Sequence, residues 1–167
     1  MTSAPSSRIP IDPNYRYSWY ARLFFANQRR RYGKELEPAR LWARTPKVFA
    51  ALSLLYGALD RRRSPIEPAL RSLITVRVSQ INWCAFCVDI NSATGLKRGI
   101  SDAQLAALPE FETSPLFDEC QKAALAYAEA ITRTDVGVDD ALMARVKACF
   151  DDNAVIELTA LIAFQNM

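Results

Sequence analysis

The residues of this chain best suited to chemistry are two cysteines three positions apart, in the segment Cys84-Ala-Phe-Cys87. Residues three apart lie on one face of an α-helix, so the two sulfur atoms can approach and close a short disulfide ring. Asn82 is a candidate N-cap for a helix that Gly99 would end, which would make Cys84 the second helical residue. Unpaired N–H groups and the helix dipole would then favour the thiolate form of Cys84. The spacing therefore predicts thiol–disulfide chemistry.

The residue types found in the rest of the sequence exclude several kinds of catalytic and metal site. The sequence contains no histidine, which excludes His-ligated zinc, Ser-His-Asp hydrolysis and Cys-His proteolysis. A structural zinc site normally needs four ligands, and the remaining cysteines, Cys120 and Cys149, stand alone in the sequence. Each of these two is interpreted as a small core residue. Neither a metal nor a cofactor is predicted, and a purely structural pair of buried thiols remains the alternative to redox chemistry.

Length and composition predict one globular domain. The chain has 167 residues, of which 50% are hydrophobic and 23% charged. Its longest apolar run, Val48 to Leu59, falls short of the roughly 20 residues that a membrane span needs and predicts a buried core helix or at most an interfacial one. The first twenty residues resemble no secretory signal. We therefore expect a cytoplasmic protein with no membrane partner.

Positive charge is concentrated at the start of the chain, where residues 1–47 carry ten Lys/Arg and three Asp/Glu. Arginines 29–31 and the neighbouring aromatic residues could bind nucleic acid or another anionic surface through residues 16–44. No nucleic-acid motif accompanies this charge, so no nucleic-acid partner is predicted. The preferred interpretation is an amphipathic helix whose aromatic residues pack on the protein body or on an acidic neighbouring subunit.

Helix signals dominate the chain and predict an all-α fold. No segment alternates between apolar and polar residues for long. Residues 1–14 are predicted as a flexible tail and residues 15–167 as one helical domain, of which 15–46 form a basic helical extension. Helix-start signals occur at Ser64-Pro65, Ser101 with Gln104, Ser114-Pro115, Asp139 and Asp151.

Three segments in order resemble the alkyl hydroperoxidase D / carboxymuconolactone decarboxylase family. They are Leu70 to Gly95, which holds the cysteine pair, Glu119 to Ala130 (Glu-Cys-Gln-Lys-Ala-Ala-Leu-Ala-Tyr-Ala-Glu-Ala), and Val155 to Asn166. The resemblance covers about residues 45–167. The N-terminal third is similar to the extension of peroxidase-related members. The resemblance implies an AhpD-like helical bundle that assembles as a homo-oligomer, often a trimer or hexamer.

The resemblance also implies thiol peroxidase chemistry. In the family, the second cysteine attacks the peroxide as a thiolate and becomes a sulfenic acid. The first cysteine then condenses with it to a disulfide, which an external dithiol reduces. Carried over, Cys87 would be the peroxidatic residue and Cys84 the resolving one. Cys84 would also meet the reductant, a lipoyl- or thioredoxin-type dithiol.

The family's proton relay is absent from this chain. It uses a Glu twelve residues before the first cysteine and a His four residues after the second, where this sequence has Ser72 and Asn91. Neither side chain takes up a proton near pH 7. Helical spacing still puts Asn91 on the cysteine face, and Ser72, Thr75 and Ser79 form a polar strip on the preceding helix. That strip could face the sulfurs or hydrogen-bond within its own helix.

Two functions are compatible with the absence of the proton relay. Ser72 and Asn91 could orient a peroxide or solvate a thiolate without acting as a general base, so a weak (alkyl) hydroperoxidase is expected. The alternative is a non-catalytic redox-responsive or ligand-binding oligomer on the same scaffold. Decarboxylation is not expected, because family members with that activity rely on His.

Overall fold

The computed structural model describes residues 9–167, and all regular secondary structure within that range is helical. The all-α prediction is confirmed. Residues 1–8 of the predicted tail lie outside the described residues. The chain divides into two compact units, the first ending at Ala58 and the second running from Leu59 to Met167. The prediction of one domain over 15–167 stays a prediction. Across residues 9–167, none of the helices combines the length and apolarity that crossing a bilayer would require.

The helices follow one another in chain order. The first unit holds α1 (Trp19–Tyr32), α2 (Glu37–Trp42) and all but the last residue of α3 (Pro46–Leu59). The second unit holds α4 (Pro68–Ile81), α5 (Ala85–Leu96), α6 (Asp102–Ala107), a 3₁₀ turn (Leu108–Glu110), α7 (Glu119–Thr132), α8 (Asp140–Cys149) and α9 (Asp152–Gln165).

The first unit has a small aromatic core. Phe25 of α1 and Phe49 of α3 are buried, and the ring of Phe24 meets that of Phe49 edge-on at 5.1 Å between centroids. The apolar run predicted as a buried helix is only partly buried, since Leu54 is 75% and Tyr56 47% exposed. That prediction was wrong because a helix apolar on all sides can bury only one stripe in a unit this small.

The second unit is organised around α4, which packs against α5, α7 and α9. Leu73, Ile74, Val76 and Val78 of this helix are fully buried. Because neighbours cover α4 on most sides, its sequence lacks the one-sided apolar stripe of a surface helix. The helix that precedes the cysteine pair is therefore the most firmly held element of the unit, and it can position polar side chains with little freedom.

Helix caps were predicted correctly where an acidic or serine side chain reaches the third residue of a helix. Ser101 and Gln104 form the predicted capping box, and Asp139 and Asp151 cap α8 and α9. The two Ser-Pro signals were wrong as helix starts. Ser64 and Ser114 instead accept hydrogen bonds from the N–H two residues on, at 3.1 and 3.3 Å. Such local turns compete with capping, so the helices begin four or five residues later.

The interpretation of Cys120 and Cys149 as solitary core residues was wrong. The two are joined by a disulfide, with Cα atoms 5.4 Å apart. Cys120 lies in the first turn of α7 and Cys149 is the last residue of α8, so the bond ties the start of one helix to the end of the next. Sequence spacing concealed the pair because the antiparallel packing of α7 and α8 brings together residues 29 apart.

A half-buried ion pair joins α4 to α7. Arg77 is 7% exposed and donates to Glu129 through Nε at 2.6 Å and to Gln80 at 3.1 Å. We predict that Glu129→Ala lowers the free energy of unfolding by about 2–3 kcal/mol, because it leaves a guanidinium buried without its carboxylate. Chemical denaturation measures this loss. The double variant Arg77→Met/Glu129→Leu is the control, and it should recover most of the stability; a double variant as unstable as Glu129→Ala would show that the buried cation is not the cause.

Candidate redox site

The cysteine pair follows a tight turn between α4 and α5. Asn82, predicted as the N-cap of the second helix, is instead the C-cap of α4. Trp83 then adopts φ 54° and is 93% exposed, and the N–H of Cys84 donates to the carbonyl of Ser79 at 3.1 Å. A left-handed conformation is unfavourable for a bulky residue, costing about 1–2 kcal/mol. The surrounding helices hold this turn and thereby fix where the first cysteine sits.

Cys84 is itself the N-cap of α5. Its sulfur accepts a hydrogen bond from the N–H of Cys87 at 3.3 Å. The two cysteines form a disulfide with Cα atoms 5.2 Å apart, and both are partly exposed. The sequence predicted Cys84 two residues inside the helix, but its position at the cap brings a backbone amide directly to its sulfur. On reduction, that amide and the positive end of the helix favour negative charge on this sulfur.

A cluster of polar side chains centres on Ser79, which is 1% exposed. Its hydroxyl donates to the carbonyl of Thr75 at 2.6 Å and accepts from Asn91 at 3.2 Å and from Gln165 at 3.0 Å. Because the carbonyl of the same Ser79 accepts from Cys84, this cluster borders the cysteine pair. Helices α4, α5 and α9 each supply one member, and Asn91 lies one turn after Cys87 on the same face of α5.

Gln165 is a site residue that the sequence did not reveal. It is the last residue of α9, a helix whose buried residues are apolar. The signal available was a lone amide at the end of an apolar helix, which is equally typical of a solvated helix end. Only the packing of α9 against α4 shows that this amide meets Ser79.

Ser72 lies away from the cysteine pair. It precedes Ser79 by seven residues, about 10 Å along α4, and its hydroxyl accepts from Arg98 at 3.2 Å. One nitrogen of Arg98, Nη2, lies 2.8 and 2.7 Å from the two carboxylate oxygens of Asp60, and Arg71 approaches the same carboxylate at 3.6 Å. Burial lowers the pKa of Arg71, and the nearby Asp60 partly offsets the shift. The predicted polar strip is therefore divided: Ser79 borders the cysteines, and Ser72 belongs to an arginine–carboxylate network.

The carboxylates of the neighbouring helices have other partners. Glu129 pairs with Arg77, and Glu157 pairs with Arg61 and accepts from Ser64 at 3.0 Å. The hydrogen bond from Arg61 lowers the pKa of Glu157. Among the described residues, the hydrogen bonds of the cluster at Ser79 join its hydroxyl to two side-chain amides and one backbone carbonyl. The arrangement can stabilise a thiolate and orient a polar substrate. At the position where the family that this sequence resembles has a His, this chain has the amide of Asn91.

The helical fold, with a cysteine pair at the start of α5, agrees with the comparison to known families. The family model described as "Carboxymuconolactone decarboxylase family" matches residues 46–130, and the chain belongs to this family. The uncharacterized protein YnjA of Escherichia coli is 46% identical over 139 residues, which are 83% of this chain and 76% of that protein.

Solved structures share the same architecture. An uncharacterized peroxidase-related protein from Silicibacter sp. TM1040 superposes with a TM-score of 0.83 at 19% identity, covering 95% of this chain and 84% of that one. A protein of unknown function from Agrobacterium tumefaciens, suggested to be an antioxidant defence protein AhpD, gives a TM-score of 0.68 at 28% identity. That match covers 72% of this chain and 82% of the other. The predicted AhpD-like helical fold is confirmed.

Proposed function

We propose that the protein is a thiol-dependent hydroperoxidase that uses Cys84 and Cys87. The observation that carries the proposal is the position of both cysteines at the start of α5, Cys84 as the N-cap and Cys87 in the first turn, with the N–H of Cys87 donating to the sulfur of Cys84. A helix start favours thiolate, which is the form that attacks a peroxide or a sulfenic acid. Membership of the Carboxymuconolactone decarboxylase family, and the likeness at 28% identity to a suggested antioxidant defence protein AhpD, support the same chemistry.

The proposed cycle has three balanced steps. The Cys87 thiolate attacks one peroxide oxygen, the O–O bond breaks, and the alkoxide leaves as an alcohol after taking a proton from solvent. Cys87 is then a sulfenic acid. The Cys84 thiolate attacks its sulfur, the S–O bond breaks, the disulfide forms, and the departing hydroxide takes a proton from solvent to become water. An external dithiol supplies the two electrons that reopen the disulfide and is itself oxidised to a disulfide. A lipoyl- or thioredoxin-type dithiol remains the predicted reductant.

Asn91 and Gln165 would assist this cycle as hydrogen-bond donors. Both amides donate to the hydroxyl of Ser79, at 3.2 and 3.0 Å, and the backbone carbonyl of the same Ser79 accepts from the N–H of Cys84. Amides orient a peroxide oxygen but do not remove its proton, so the general-base contribution of about 10²–10⁴-fold is missing. We therefore propose a slow peroxidase whose thiolate depends on the helix start rather than on a proton relay.

The direct test follows disulfide formation after peroxide addition. Fully reduced protein is mixed with one equivalent of tert-butyl hydroperoxide, and the thiols remaining at each position are counted by alkylation and peptide mass spectrometry. We expect Cys84 and Cys87 to lose their thiols together within minutes. If both stay reduced over that time, peroxidase activity is wrong.

The two buried serines of α4 provide a matched pair of variants. We predict that Ser79→Ala slows peroxide-driven disulfide formation about 3–10-fold, because Asn91 and Gln165 lose a common acceptor worth one hydrogen bond each. Ser72→Ala makes the same change on the same helix, but this serine bonds Arg98, so the rate should change less than twofold. Stopped-flow kinetics of the reduced proteins measures both rates. Equal effects from the two variants would show that the cluster at Ser79 has no special part in the reaction.

The alternative is a redox-responsive oligomer without turnover. The missing relay favours it, and it predicts that the pair oxidises slowly and that neither a lipoyl-type nor a thioredoxin-type dithiol recycles it. Repeated peroxide consumption in the presence of either dithiol would exclude this alternative. Assembly as a trimer or hexamer and a cytoplasmic location stay predictions under both functions.

A further inference from the structure

The first compact unit contains a cavity that the proposed redox chemistry does not use. Its volume is about 620 Å³, within the range of small-molecule sites. Four arginines line it, Arg16, Arg22, Arg29 and Arg40, together with one carboxylate among the described lining residues, that of Glu35. Arg22 and Arg29 are seven residues apart on α1 and so share the helix face that meets the cavity.

The single carboxylate does not satisfy these cations. Glu35 pairs with Arg29 and lies 3.7 Å from the Nε of Arg40, which is too long for a hydrogen bond. The Nε of Arg40 is buried and has no hydrogen-bond partner among residues 9–167. A buried guanidinium donor without an acceptor costs free energy, and an anion in the cavity would supply the acceptor.

The remaining wall of the cavity is aromatic. The ring of Tyr17 lies 4.9 Å from that of Tyr15 and meets Phe25 edge-on at 5.0 Å, and all three line the cavity. The hydroxyl of Tyr15 donates to the carbonyl of Arg44 at 3.2 Å, which holds this ring in place. A ligand here would therefore contact both guanidinium groups and aromatic rings.

We propose that this cavity binds a small phosphate monoester with a flat apolar group. A phosphate dianion matches the surplus positive charge better than a single carboxylate does, and guanidinium groups bind phosphate in bidentate fashion. The aromatic wall accommodates the organic part. A cavity of this volume suits a small molecule rather than a nucleic-acid strand, which needs an extended groove. The proposal is independent of the cysteine chemistry.

The test uses titration calorimetry on the full chain with phenyl phosphate, inorganic phosphate and benzoate. Phenyl phosphate should bind most tightly, about 3–10-fold better than inorganic phosphate through aromatic contact, and better still than benzoate. Arg22→Gln should weaken phenyl phosphate binding about tenfold or more. Arg30→Gln is the matched control: Arg30 is also exposed on α1 but lies outside the lining, and its loss should change the affinity less than twofold.

Four results would overturn the proposal. The first is no saturable binding of phenyl phosphate up to about 10 mM. The second is equal weakening by Arg22→Gln and Arg30→Gln, which would show a diffuse effect of positive charge. The third is displacement of phenyl phosphate by a single-stranded oligonucleotide that binds more tightly and with a steep salt dependence, which would assign these arginines to nucleic acid. The fourth is equal binding of phenyl and inorganic phosphate, which would show that the aromatic lining contributes nothing to the site.

Discussion

Replacing Cys87 with serine should lower the rate of peroxide consumption roughly 100-fold or more. A serine hydroxyl stays protonated where a thiol at a helix start ionises, so the variant has no competent nucleophile at that position. Cys84→Ser should behave differently. It should consume about one equivalent of peroxide and stop, leaving a sulfenic acid on Cys87 that has no neighbouring thiol to close the disulfide. Peroxide consumption and dimedone labelling with peptide mapping measure both outcomes.

The double variant Cys120→Ser/Cys149→Ser is the control for this experiment. It removes the other two cysteines of the chain, which join α7 to α8 and do not lie at the start of α5. This variant should therefore retain the peroxide reaction. If Cys84→Ser abolishes the first turnover while Cys87→Ser keeps it, the two roles are reversed. That outcome would agree with the hydrogen bond to the sulfur of Cys84 and contradict the assignment taken from the family.

The second large effect concerns the stability that the Cys120–Cys149 disulfide provides. A bond closing a loop of 29 residues removes much of the freedom of the unfolded chain, worth roughly 3–4 kcal/mol in the loop-entropy model. We therefore predict that Cys120→Ser/Cys149→Ser lowers the free energy of unfolding by about that amount and Tm by about 6–16 °C. Urea denaturation and calorimetry of oxidised protein measure the loss.

Two comparisons make this prediction specific. The variant Cys84→Ser/Cys87→Ser opens a bond with a sequence separation of only 3, and the same model gives it about 2 kcal/mol. Adding a strong reductant should remove the stability difference between the wild type and Cys120→Ser/Cys149→Ser. If oxidised wild type and this variant unfold at the same urea concentration, the cross-link does not stabilise the fold.

Much of the fold was predictable because its signals are local. Helix class follows from apolar spacing, and caps such as Asp139 and Asp151 act through a side chain and an N–H three residues away. The helix starts predicted at the two Ser-Pro signals were wrong for a local reason as well, since Ser64 and Ser114 accept hydrogen bonds from the N–H two residues on and so form local turns. The exposure of α3 could not be predicted in the same way. Burial depends on how much neighbouring surface is available to cover an apolar helix.

The candidate site was predictable where its members share one helix. Cys84, Cys87 and Asn91 lie within eight residues, and helical spacing already places them on one face. The contributions of other helices were not predictable. Ser72 and Ser79 look equivalent along α4, and only packing shows that one meets Arg98 and the other Gln165.

The proposed peroxidase chemistry depends on activated sulfur at the start of α5, and the pH dependence of thiol alkylation measures that activation most directly. Reduced protein is pulsed with iodoacetamide between pH 5 and 10, and the rate at each cysteine is read by peptide mass spectrometry. Cys149, at the C-terminal end of α8, is the internal reference because the helix dipole there disfavours thiolate. We predict that at least one of Cys84 and Cys87 reaches half its plateau rate at least one pH unit below Cys149. If both reach it together with Cys149 or at higher pH, the pair is not activated and the proposed peroxidase mechanism is wrong.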